Sequence, residues 1–230
     1  MVLKIAKTVW PVMLTYVAVG APCGMIMGQT GMEPWMVFAL SSTFVTGSGQ
    51  FMICNLWLAG VPAPSIIASV AAISSRFALY SASLAPHLVG ASKSQTLAVT
   101  ATLTEEAYGI SLAKLVEGDG WGPKEAFALN AILIATWGVA CTAGAVAGAA
   151  IDVPTAIAGF VCTSLFICLL FSQRLSRGNV VAAVSGAVSV AMFKFLGLAN
   201  IAVPASVVVG VAIALVCDAL SDGRGARDAR

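Results

Sequence analysis

The chain has 230 residues, 59% of them hydrophobic and 10% charged, with a formal net charge of +2. A soluble domain carries about 25% charged residues, and a nucleic-acid binder concentrates basic residues in a patch or stripe, so neither class fits. The composition is that of an all-α polytopic membrane protein.

Apolar runs punctuated by Gly, Pro and charge predict eight spans, at about 8–28, 34–59, 64–87, 95–115, 126–150, 155–173, 178–198 and 202–220. A seven-span arrangement, with weaker Gly- and Pro-interrupted segments re-entrant, is the alternative. Connections are short, so residues 1–220 are expected to form a single transmembrane domain, followed by a disordered cytoplasmic tail at 221–230. With both termini cytoplasmic, Lys4, Lys7, Lys114, Lys124, Arg174, Arg177, Arg224, Arg227 and Arg230 lie inside. Only Lys93 and Lys194 lie outside, an asymmetry that supports this orientation.

The first span carries Gly20, Gly24 and Gly28 at four-residue spacing, a face stripped for close helix approach. Its length, and Pro22 just past Val19-Gly20-Ala21, argue for a retained span over a cleaved signal. In the second run, Thr46-Gly-Ser-Gly-Gln-Phe51 places two glycines and three polar side chains at mid-depth. Two readings stand side by side: a broken helix whose half-helix ends face a substrate, or a glycine packing face with Gln50 bonded to a neighbour.

The third run places Arg76 near the centre of a segment long enough to cross the bilayer, where an ionised side chain is costly unless it faces protein or water. Arg76, Tyr80, Ser83 and His87 are spaced by four, three and four and so share one helix face. The fourth run answers with Glu105 and Glu106 at nearly the same depth. Adjacent residues lie about 100° apart on a helix, so one carboxylate is expected to pair with Arg76 and the other to line a cavity or a different helix. Two neighbouring carboxylates in a low dielectric do not easily both stay ionised, which suits one of them to carry a proton. Thr102 and Tyr108 lie close enough to join the network.

The fifth run holds Trp137, Gly144 and Gly148, then Pro154. The pattern Gly24, Gly28, Pro34 thus recurs at an offset of 120 residues and hints at an internal repeat, with parallel halves on the eight-span count. The six cysteines, Cys23, Cys54, Cys141, Cys162, Cys168 and Cys217, show no CxxC spacing and read as small buried hydrophobes. With one His in the chain, neither a metal site nor a cofactor is expected.

Several elements in this order resemble the AzlC-type branched-chain amino-acid permeases, the large subunit of a two-component bacterial exporter. They are the Gly-rich first span, Gly47-x-x-Gln50-Phe51, Arg76 with Leu79-Tyr80-Ser81 and Ala85-Pro86, and Thr104-Glu105-Glu106. Glu105 stands where that family commonly has Asp, and Ser75 where an apolar residue is usual before the Arg. The resemblance implies export of apolar amino acids across the bacterial plasma membrane, with a small AzlD-type membrane subunit as partner. No GxxxxGK[ST] element occurs, so coupling to the proton gradient is expected instead of ATP hydrolysis. On this reading Arg76, Gly47, Gly49, Gln50, Tyr80 and Ser83 bind substrate, and Glu105 and Glu106 couple protons.

Two other classes compete. Thr46-Gly-Ser-Gly49 is similar to the Gly-x-Ser-Gly of rhomboid-type intramembrane proteases, with His87 as the one candidate base. A non-transporting membrane scaffold would tolerate neutralised intramembrane charges.

Overall fold

The computed structural model describes residues 2–88, 90–118, 120–150, 160, 163–164, 167 and 177–228. The expected span at 155–173, with Cys162 and Cys168, lies almost wholly outside them. The described residues form helices joined by short turns, without a strand. In chain order the helices are α1 (Val2–Gln29), α2 (Pro34–Thr43), α3 (Gly47–Leu58), α4 (Ala63–Ser74), α5 (Arg76–Leu84), α6 (Lys93–Ala101), α7 (Glu105–Glu117), α8 (Pro123–Ala150), α9 (Arg177–Phe195) and α10 (Ala199–Asp228). The last takes in most of the segment 221–230 that composition assigns to a tail.

Chain contacts divide the protein into two units, 1–58 with 73–162 and 59–72 with 163–230. In the second, α9 packs on α10 where Gly210 lets its backbone approach Ala182 and Gly186: a Cβ there would lie 3.2 Å from the Ala182 carbonyl oxygen. Large apolar side chains such as Val184, Val188, Val208 and Leu215 point outward, as lipid-facing helices require.

The first unit is organised on α1 and α8, each 28 residues long and apolar enough to cross the hydrocarbon layer. Their contact is the most extensive between helices. Glycines make it possible, since a Cβ on Gly24 would fall 1.7 Å from the Cys141 carbonyl oxygen and one on Gly144 would fall 2.0 Å from that of Ala21. Gly148 faces Met25, where a Cβ would lie 3.2 Å from Cγ, and Gly28 faces Ala145 at an ordinary 3.8 Å. Both partners advance by four residues together, so α1 and α8 run parallel.

Adding 120 to the α1 residue and subtracting 120 from the α8 residue converts the contact of Gly24 with Cys141 into that of Gly144 with Ala21, and the contact of Gly28 with Ala145 into that of Gly148 with Met25. The offset seen in the sequence therefore has a structural counterpart, a local two-fold relation between the two helices.

Two expected spans are broken. Residues 34–59 form α2 and α3 around Phe44-Val45-Thr46, and residues 95–115 form α6 and α7 around Thr102-Leu103-Thr104. None of these four helices exceeds 13 residues, against about 20 needed to cross. The run Ala63–His87, interrupted by a turn at Ser75, is long enough. Parallel α1 and α8 require an odd number of crossings between them, so the two broken segments either both cross or both return to the side they entered.

Candidate functional site

Tyr16, counted from Val2, is the fifteenth of 28 residues in α1, and Trp137, counted from Pro123, is the fifteenth of 28 in α8. The middle of both long helices is thus marked by two aromatic rings, which meet edge to face with centroids 5.4 Å apart. The breaks in the other segments fall at this level.

At the first break, the helix restarts with Thr46 Oγ1 accepting from the Gly49 N–H at 3.2 Å, which satisfies one of the exposed N–H groups at the start of α3. Gln50, fully buried, braces the break: its Nε2 donates to the Phe44 carbonyl, and its Oε1 accepts from Trp137 Nε1 at 2.9 Å and from Ser41 at 3.3 Å. Nine residues of straight helix would separate Ser41 and Gln50 by roughly 13 Å along the axis. Their side-chain bond therefore shows that α3 leaves α2 at a sharp angle. Gly47 lies against the Trp137 ring and Gly49 against Thr46 and Phe44, where a Cβ would come within 3.0 Å and 2.8 Å of those side chains.

At the second break, Thr104 caps α7 by accepting from the Ala107 N–H at 3.2 Å. Asn130 of α8 reaches across to the end of α6, its Nδ2 donating to the Val99 carbonyl at 2.8 Å and to Thr102 Oγ1 at 3.0 Å. Both breaks are thus pinned to α8, one by Trp137 and one by Asn130.

The starts of α3 and α7 bring the charged groups together. Arg76, at the first position of α5, directs Nη2 to Glu105 Oε1 and to Ser48 Oγ, the latter at 2.6 Å. Ser48 donates in turn to Glu105 Oε1 at 3.1 Å and lies 3.2 Å from Thr46 Oγ1. Arg76 Nε is buried without an acceptor among the described residues. Glu106 turns to the other side, where the Tyr16 hydroxyl donates to its Oε2 at 2.6 Å and lies 3.0 Å from Thr104 Oγ1. The two carboxylates therefore have different partners, as their angular separation on the helix requires.

From Arg76 toward the end of its helix run Phe77, under the guanidinium at 5.6 Å, and Tyr80, stacked on Tyr108 at 4.6 Å with an interplanar angle of 13°. Ser83 lies 3.1 Å from the Tyr108 hydroxyl. His87 is exposed in the turn that ends this helix, eleven residues or roughly 16 Å of helix rise beyond Arg76. Ser48, in contact with Arg76, is thus bonded to a guanidinium and a carboxylate, and the triad-like pairing with His87 that a hydrolase would need is not formed.

Of the residues singled out in the sequence, Arg76 and Glu105 meet directly and Tyr80 and Ser83 continue from them, whereas Gly47, Gly49 and Gln50 are packed at the α2–α3 break. Reading the sequence missed Tyr16, Trp137 and Asn130 as partners, and Ser48 as the bridge. Tyr16 and Asn130 did leave a signal, each a hydrogen-bonding side chain in the interior of an otherwise apolar run. Cys23, Cys54 and Cys141 are buried as expected, whereas Cys217, on α10, is exposed.

A multi-pass membrane protein with an ion pair set among half-helix ends at mid-depth is built as transporters are. The chain belongs to the AzlC family: residues 11–151, more than half of it, match the AzlC protein family. It is 26% identical over 219 residues to the inner membrane protein YgaZ of Escherichia coli K12, covering 92% of this chain and 85% of the relative. No solved structure matches. Family and relative support a membrane-transporter function.

Proposed function

We propose that the protein is a proton-coupled secondary transporter that exports branched-chain or other apolar amino acids, acting as the large subunit of a permease with a small AzlD-type membrane partner. The carrying observation is the group formed by Arg76, Glu105 and Ser48 at the starts of α3 and α7. A guanidinium has five donors, and in this group Arg76 engages its partners through Nη2, with Nε buried and without an acceptor among the described residues. A substrate carboxylate fits the remaining edge. The N-terminal ends of two half-helices add favourable partial positive charge for the same carboxylate.

Glu105 takes the substrate amine or holds Arg76 in the empty site. Glu106, held by a neutral hydroxyl instead of a cation, is the proton carrier. Tyr80 and Tyr108, with Ser83 at their edge, supply an aromatic wall for an apolar side chain. Gly47, Gly49 and Gln50 serve the site by shaping the break that presents Ser48. The termini face the cytoplasm, in keeping with the distribution of basic residues in the sequence.

The test is counterflow of radiolabelled amino acids in proteoliposomes, with and without the small partner. Accumulation of apolar amino acids that Arg76→Ala abolishes is expected. No exchange of any amino acid with the partner present would overturn the reading.

A further inference from the structure

Tyr16 is buried, sits at the centre of α1, and its hydroxyl has two neighbours of different kind: the Glu106 carboxylate at 2.6 Å and the Thr104 hydroxyl at 3.0 Å. A phenol has a single proton to donate. While Glu106 is ionised, the hydroxyl donates to the carboxylate, because a hydrogen bond to an anion is about twice as strong as one between neutral groups. Once Glu106 is protonated, its carboxyl becomes a donor. Tyr16 Oη then accepts from it and must turn its own proton toward Thr104 Oγ1, the oxygen that caps α7.

The same ring is in edge contact with Trp137, whose indole N–H holds Gln50, and Gln50 in turn holds the Phe44 carbonyl at the α2–α3 break. One side chain is thus connected to both breaks, its hydroxyl to α7 through the cap and its ring to α3 through Trp137 and Gln50.

We infer that Tyr16 is a positioning residue that reads the protonation state of Glu106 and transmits it to the two half-helix starts that present Glu105 and Ser48 to substrate. The inference rests on the proton-carrier role given to Glu106 above. The ionisable groups around Glu106 are Tyr16 on α1, Glu105 on α7 itself, and Arg76 on α5, which Glu105 engages. Ser48 of α3 bonds to Glu105, Trp137 of α8 touches the Tyr16 ring, and both stay neutral. Among the described residues, Tyr16 is thus the side chain through which a change of charge at Glu106 is felt directly.

The experiment uses the full chain in lipid nanodiscs, with Trp10, Trp35, Trp57 and Trp121 replaced by Phe so that Trp137 alone emits. Trp137 emission and the infrared C=O band of protonated carboxyl groups are followed through a pH titration. In the parent, both change together, and Glu106→Gln removes both changes. Tyr16→Phe keeps the aromatic ring and removes only the hydroxyl. It is expected to retain the Glu106 C=O band while losing the Trp137 response.

An unchanged Trp137 response in Tyr16→Phe overturns the inference, and so does a parent whose C=O band is insensitive to Glu106→Gln. Both readouts are independent of transport. A failed counterflow assay with an intact Trp137 response therefore counts against the transport reading alone.

Discussion

Arg76 donates to Glu105 across 29 residues of sequence, from the first residue of α5 to the first residue of α7. The two side chains lie only partly exposed, 29% and 23%, in a chain whose outer surface is apolar. Ser48 completes the contact from the start of α3, so three segments that would otherwise be free to slide are tied at one level.

Removal of Arg76 leaves Glu105 with Ser48 alone. Arg76→Ala should reduce transport to background while the protein still inserts. Arg76→Lys should recover little, since a point charge lacks the planar fork; losing one charge-assisted bond, worth about 1.5–3 kcal/mol, corresponds to a roughly 10–100-fold weaker substrate affinity. Counterflow at graded substrate concentrations measures this, and full activity in Arg76→Ala would sink the assignment.

Gly24 and Gly28 look alike in sequence but differ in space. A methyl at Gly24 collides with the Cys141 backbone, whereas one at Gly28 meets Ala145 at an ordinary 3.8 Å. Gly24→Ala should therefore destabilise by about 1–3 kcal/mol, or roughly 2–12 °C in Tm, while Gly28→Ala stays near the parent. Thermal unfolding in detergent decides it, and equal effects at the two positions would contradict the parallel register of α1 and α8.

Gln50 should behave as a brace and not as a ligand. Gln50→Leu strands the Trp137 N–H and the Phe44 carbonyl in a dry interior, each costing about 1–3 kcal/mol. A fall in thermal stability together with a loss of exchange rate is expected. Unchanged stability with weaker substrate affinity alone would instead place Gln50 in direct contact with substrate.

Much of this was legible in the chain itself. An arginine in an apolar run, and carboxylates at matching depth in the next one, are too costly in lipid to be left apart, so Arg76 and its acidic partner could be paired before any coordinates. The glycines of α1 and α8 announced close packing, and Thr46 to Phe51 offered the break as one of two readings. What the sequence did not disclose was which Glu faces Arg76, because that depends on the rotation of α7 about its axis. Nor did it disclose Tyr16, Trp137 and Asn130 as partners: a single Tyr, Trp or Asn inside an apolar run gives no direction, and only the parallel arrangement of α1 and α8 brings Tyr16 and Trp137 together. The second break, at Thr102 to Thr104, carries neither Gly nor Pro and left no signature of the kind seen at Gly47 and Gly49.

The most direct test of the central claim is to measure counterflow and pH-gradient-driven efflux side by side for Glu105→Gln and Glu106→Gln. Glu105 compensates Arg76, so neutralising it should damage both activities; Glu106 has Tyr16 for its partner, so neutralising it should leave substrate exchange running and remove its response to the pH gradient. An inward proton that drives export requires this split. If both variants respond to the gradient as the parent does, proton coupling through this pair is wrong, and the carboxylates serve only to balance a buried arginine.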